Sequence, residues 1–147
     1  MIRTLGVTLA AGALSVGVAS TAMANDAAIA YRKAVFSALG GHTSALAAIV
    51  KGEVPHSGDA KAHAKAIGMT APMVKHIFPE GSGKGDTGAL PAIWEKPEAF
   101  AKVQENFQVA AAQLAAAADG DDMKAMAAAV GNLGKACKAC HDDFRKK

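Results

Sequence analysis

Four stretches of this chain carry apolar residues at helical spacing, and little of it alternates with the period of two that a strand needs. The first covers 26–50, with Ile29, Phe36, Leu39, Leu46 and Val50 on one stripe. Residues 52–58, glycine at both ends and Pro55 between, break it. The second runs from Asp59, a predicted N-cap, to Ile77 and turns Ile67, Met73, Val74 and Ile77 inward. Pro72 lacks a backbone donor and predicts a bend there. A long glycine-rich connection, 78–96, follows. Pro97 suits the first turn of a third helix, where Phe100, Val103, Phe107, Ala110, Leu114 and Ala117 alternate by three and four. Asp119-Gly120-Asp121 ends it and opens the fourth. There Met123, Met126, Val130, Leu133, Cys137, Cys140 and Phe144 keep the same spacing without a break. Alanine-rich composition favours helix throughout. The pattern predicts an all-α domain, an antiparallel four-helix bundle.

The N-terminus departs from this pattern. Arg3 is followed by an uncharged apolar run from Leu5 to Ala19 and by Ala22-Met23-Ala24, a small-x-small cleavage pattern. Residues 1–24 therefore read as a signal peptide that is cleaved, leaving one domain over 25–147. The apolar run is shorter than the about 20 residues of a membrane span, and no later segment reads as apolar enough to cross a bilayer. The product is expected to be soluble, free of membrane and, in a bacterium, periplasmic. Losing Arg3 takes the formal net charge from +3 to +2. Its lysines are scattered, with a basic cluster only at Arg145-Lys146-Lys147, which excludes the concentrated patch that nucleic acid requires.

The chemistry gathers at the end of the fourth segment. Cys137-Lys138-Ala139-Cys140-His141 is Cys-x-x-Cys-His, the attachment motif of a c-type haem, and the chain has only these two cysteines. Two thiols can add across the porphyrin vinyl groups, and the neighbouring imidazole can take an axial position on the iron. Three other readings compete: a redox dithiol, half of a zinc site, or a plain disulfide. The first expects a strand–helix setting that is not seen. The second lacks a further Cys/His pair, since His42, His56, His63 and His76 are scattered. The third closes too small a ring to stabilise much. One covalently bound haem c, with Cys137 and Cys140 as attachment points and His141 as iron ligand, is the expectation. Gly134, Cys137, His141 and Arg145 share one helical face, so Arg145 either reaches the imidazole or a propionate, the favoured reading, or is a solvated arginine at the helix C-terminus interacting with its dipole. Gly134 and Ala136 leave room for a porphyrin, or else mark a loosely packed helix contact.

A haem motif at the C-terminal end of a bundle resembles cytochrome c′ and its low-spin relatives. The likeness covers the whole domain: Tyr31-Arg32-Lys33-Ala34-Val35-Phe36, Leu39-Gly40-Gly41, Phe78-Pro79-Glu80-Gly81, Ala92-Ile93-Trp94, and Cys137 through Arg145. In that family the residue four beyond the first-helix arginine decides the chemistry: methionine in the low-spin members, an apolar residue in many cytochromes c′. Here it is Phe36, which cannot ligate iron. The resemblance implies a five-coordinate haem with Phe36 over its distal face, and a propionate as partner for Arg32. Trp94 either packs on the haem edge or plugs the bundle end. The implied partners are small diatomic gases (nitric oxide, carbon monoxide), an unidentified redox protein and, through the first two helices, a second copy of the chain. The alternatives are a six-coordinate low-spin electron carrier, or an enzyme consuming nitric oxide or peroxide. An apolar distal side without an acid–base group disfavours the enzyme.

Overall fold

Helix formation follows the apolar periodicity, and the breaks follow proline and glycine. A computed structural model describes residues 16–120 and 122–147. Helix α1 spans Val16–Val50, α2 Ala60–Thr70, α3 Ala92–Glu95, α4 Pro97–Ala117 and α5 Met123–Phe144. Most of the proposed leader lies outside the described residues, and α1 begins within its last part. Helix α1 packs against α2 and α5, and α4 also packs against both. The four long elements thus close a ring in chain order, the predicted four-helix bundle. No strand occurs among the described residues beyond an isolated bridge between Ala89 and Arg145.

The core confirms most of the stripes. Ile29, Leu39, Leu46, Ile67, Val74, Phe107, Leu114, Met126 and Leu133 are buried. Phe36 and Val50 are half-buried against them, while Val35 and Ile49 take the fully buried places on α1. Helices α2 and α4 approach so closely at Gly68 that an added Cβ would stand 2.6 Å from the Ala115 Cβ.

Three local expectations are corrected. Pro72 does not bend a continuous helix. The α-helix stops at Thr70, and Ala71–His76 continues as a 3-10 turn with the proline in its first positions. Tightening from 3.6 to about 3 residues per turn rotates the stripe, so Met73 faces outward at 44% exposure while Val74 stays inside. Asp59 stands at the N-terminus of α2 but its side chain makes no capping bond. Asp122 caps α5 instead, accepting from the backbone N–H groups of Lys124 and Ala125 at 2.8 and 3.1 Å.

The expectation that no segment after the leader is apolar enough for a membrane also fails. By length and composition Asn25–Val50 qualifies, with a mean hydropathy of 1.2. Alanine raises that mean, while the bulky residues Ile29, Val35, Leu39, Leu46 and Ile49 are buried in the bundle.

Candidate haem site

The long connection is the element that shapes the site. It leaves the 3-10 turn at Ile77 and is tied to the end of α5 and the residues that follow it. Leu90 N–H donates to the Phe144 carbonyl at 3.0 Å, and Lys146 N–H to that of Gly88 at 2.8 Å. Trp94 holds the connection from behind. Its indole N–H donates to the Phe78 carbonyl at 3.3 Å, and its ring fits against Gly83, where an added Cβ would meet it at 2.6 Å.

Between this connection, α1 and α5 lies a cavity of about 550 Å³, the size class of organic cofactor sites. Its apolar wall is made by Phe36 and Leu39 of α1, Val74 and Phe78, Phe107 of α4, and Phe144 of α5. Ala136, Cys137, Cys140, His141 and Arg145 line the α5 side, and Arg32 stands on the α1 side. Six of the seven residues expected at the site therefore meet at one cavity. Trp94 does not line it; its donor is used and its ring backs Phe78, so it plugs the bundle end. Ala136 is on the wall as expected, but Gly134 is not, and an added Cβ there would meet no atom within 4 Å.

The cysteines are free, half-buried thiols in the last turns of a 22-residue helix. Burial raises both above the ordinary thiol range; Cys140 reaches about 11, with the neighbouring Cys137 and Asp143 adding to the effect of burial. Both thiols thus keep their protons at neutral pH, which slows oxidation by exchange, a reaction of the thiolate. His141 shifts the other way. Burial and then the positive charge of Arg145 lower its pKa, against a small opposing effect of Asp142. The shift favours the neutral imidazole, the form that ligates a metal. Arg145 holds its guanidinium 3.4 Å from His141 Nδ1.

Arg32 is the most constrained polar group. It is 4% exposed, and four donated hydrogen bonds fix it. Nη1 donates to the Ile77 carbonyl at 3.1 Å and to Ser82 Oγ at 2.8 Å. Nη2 donates to the Ser82 carbonyl at 2.7 Å and to Thr87 Oγ1 at 2.9 Å. The Phe78 ring lies 4.8 Å beneath it. All these partners are neutral. A buried cation without an anion is costly, so its place on the cavity wall suits an anionic ligand group. Ser82 and Thr87 escaped the sequence reading, because nothing local marks a loop hydroxyl as the partner of a helix arginine. Replacing Arg32 with leucine would orphan these acceptors, and unfolding free energy should fall by at least about 2 kcal/mol, read from the denaturant midpoint.

The competing readings of the cysteine pair lose their footing here. Among the described residues no strand precedes α5, the two sulfurs are not bonded, and no group of three or more His, Cys, Asp or Glu stands together that could hold a metal ion. Two thiols, a neutral imidazole, an apolar cavity and a buried cation at its edge fit a covalently attached haem. The cytochrome c′ family model matches residues 27–145. The chain belongs to the cytochrome c′ family. Cytochrome c′ of Pararhodospirillum photometricum is 38% identical over 122 residues, 82% of this chain and 98% of the relative. Among solved structures, cytochrome c′ of Shewanella frigidimarina superposes with a TM-score of 0.80 at 34% identity, covering 84% of this chain and 97% of that one. A nitric oxide complex of a variant from Alcaligenes xylosoxidans gives 0.77 at 32% identity, with 84% and 97% covered. As a family member the protein is a c-type cytochrome with covalently bound haem c; Cys137 and Cys140 are the thiols placed to hold it, and its iron would supply redox and ligand-binding chemistry.

Proposed function

We propose that this protein is a periplasmic cytochrome whose haem iron is five-coordinate, and that it binds nitric oxide and carbon monoxide and passes single electrons. The carrying observation is the composition of the cavity wall. His141 is its only histidine, and no methionine lines it. Met73 points outward and Met126 is buried elsewhere in the core. Lys33, the one amine on the wall, is 2.6 Å from Asp86. The wall contributed by α1 instead offers Phe36, half-buried and 6.1 Å from Phe78 between ring centroids.

Each residue then has a task. Cys137 and Cys140 would hold the haem on α5 through thioethers, each thiol adding its S–H across a vinyl group, and His141 would supply the nitrogen ligand to the iron, with Arg145 beside it. Phe36 would shield the cavity from water and bulky ligands, and Arg32 would offset propionate charge from its neutral cage. No carboxylate lines the cavity, which leaves peroxide chemistry without a distal base and supports a carrier and gas-binding role over an enzymatic one. The nitric oxide complex of the relative supports the choice of ligand.

Export belongs to the same reading. The family match begins at residue 27, just past the proposed cut after Ala24. The optical spectrum decides the central point. The ferric protein should show a high-spin or mixed-spin haem without a sulfur-to-iron band, and the ferrous protein should bind carbon monoxide. A methionine band would transfer the assignment to a six-coordinate low-spin carrier.

A further inference from the structure

Away from the cavity wall, two histidines from different helices meet nitrogen to nitrogen. His42 on α1 and His63 on α2 bring their Nδ1 atoms to 2.9 Å, with ring centroids 5.2 Å apart. Both imidazoles are half-buried, and neither lines the haem cavity. The separation fits a hydrogen bond in which one Nδ1–H donates and the other Nδ1 accepts. We propose that His42 and His63 form a second metal site, a two-imidazole clip for a divalent transition-metal ion with copper(II) preferred.

The geometry argues for it. Metal–imidazole bonds are about 2.0 Å long, so an ion bonded to two nitrogens 2.9 Å apart subtends an angle of about 90°. That is the angle between neighbouring ligands in the tetragonal coordination copper(II) favours. A tetrahedral ion would need the nitrogens about 3.3 Å apart for the same bond length. The ion would sit to one side of the line between them. The 5.2 Å between ring centroids sets the two rings end-on along that line, so each imidazole has to turn by roughly 45° to aim its lone pair at an ion bonded at about 2.0 Å, a side-chain rotation rather than a separation of α1 from α2. The donor imidazole transfers its proton from Nδ1 to Nε2 through solvent, after which both Nδ1 atoms present lone pairs and no net proton is lost. No third His, Cys, Asp or Glu completes the group among the described residues, so water takes the remaining positions. Copper also stands above zinc in intrinsic affinity for such a site.

The test is a copper(II) titration of the haem-loaded protein followed by electron paramagnetic resonance. One tetragonal copper per chain is expected, and its pulsed spectrum should show the remote nitrogens of two imidazoles. His42→Gln and His63→Gln should each weaken binding by more than the roughly ten- to hundredfold that loss of an outer-shell partner costs, with the haem spectrum unchanged. His56→Gln and His76→Gln should leave the copper signal as it was. Should the His42 or His63 variants fail to fold, the count of imidazoles in the unmodified protein decides alone. One imidazole or none there, or full affinity in either folded variant, overturns the proposal.

Discussion

Phe36→Ala should speed carbon monoxide association with the ferrous protein and raise its affinity roughly ten- to a hundredfold. The size follows from the work that binding must do. Phe36 packs on Phe78 and against the core, and on the proposed five-coordinate reading a ligand entering the sixth position has to push the ring out of that contact. Fully burying such a side chain is worth about 1.5–3 kcal/mol, which sets the upper end of the gain. Collapse of α1 toward the gap, or water entering it, would reduce the effect. Phe36→Met is the complementary change. It supplies a thioether at the position where the low-spin relatives carry one, and the ferric spectrum should move toward six-coordinate. Flash photolysis measures the first variant and optical spectroscopy the second. If neither changes, Phe36 lies away from the iron and the argument for an open coordination site fails.

Replacing both Cys137 and Cys140 with serine should abolish covalent attachment altogether. Each sulfur that adds to a vinyl group contributes one thioether, so a single substitution leaves one and the double substitution leaves none. Serine keeps the size of the side chain, but its hydroxyl is a far poorer nucleophile than a thiol. The haem of the double variant should then be lost or extracted into acid–acetone, while that of the unmodified protein stays with the polypeptide. His141 and Arg32 remain in that variant, so any residual haem reports what the axial ligand and the charged edge hold without the covalent bonds. Extraction from the unmodified protein would refute the covalent reading.

The parts of this molecule that were legible in advance are the ones written in local spacing. The alternation by three and four from Met123 to Phe144 placed both cysteines on the inner face of α5, and the structure agrees. His141, Cys137, Phe36 and Arg145 were named from a short motif and a family resemblance, and all four line one cavity. Two of the misses lie where the backbone departs from the regular spacing. The 3-10 turn that begins at Ala71 and carries Pro72 displaced Met73, and the single turn of α3 occurs inside a stretch expected to be irregular.

Apolar periodicity and the Cys-x-x-Cys-His motif by themselves determined a helical bundle, most of its inward faces and the chemistry expected at its C-terminal end. Such information survives in sequence because a helix repeats every few residues whatever surrounds it. Only the tertiary structure decided which groups face one another. Arg32 meets Ser82 and Thr87 across 50 and 55 positions, His42 meets His63 across 21, and the connection is tied to the residues around Phe144. No local pattern encodes these pairings, because each depends on where a glycine-rich loop closes and how two helices cross. Those contacts put the buried cation at the rim of the cavity, turned Trp94 behind its wall, and brought two imidazoles to bonding distance.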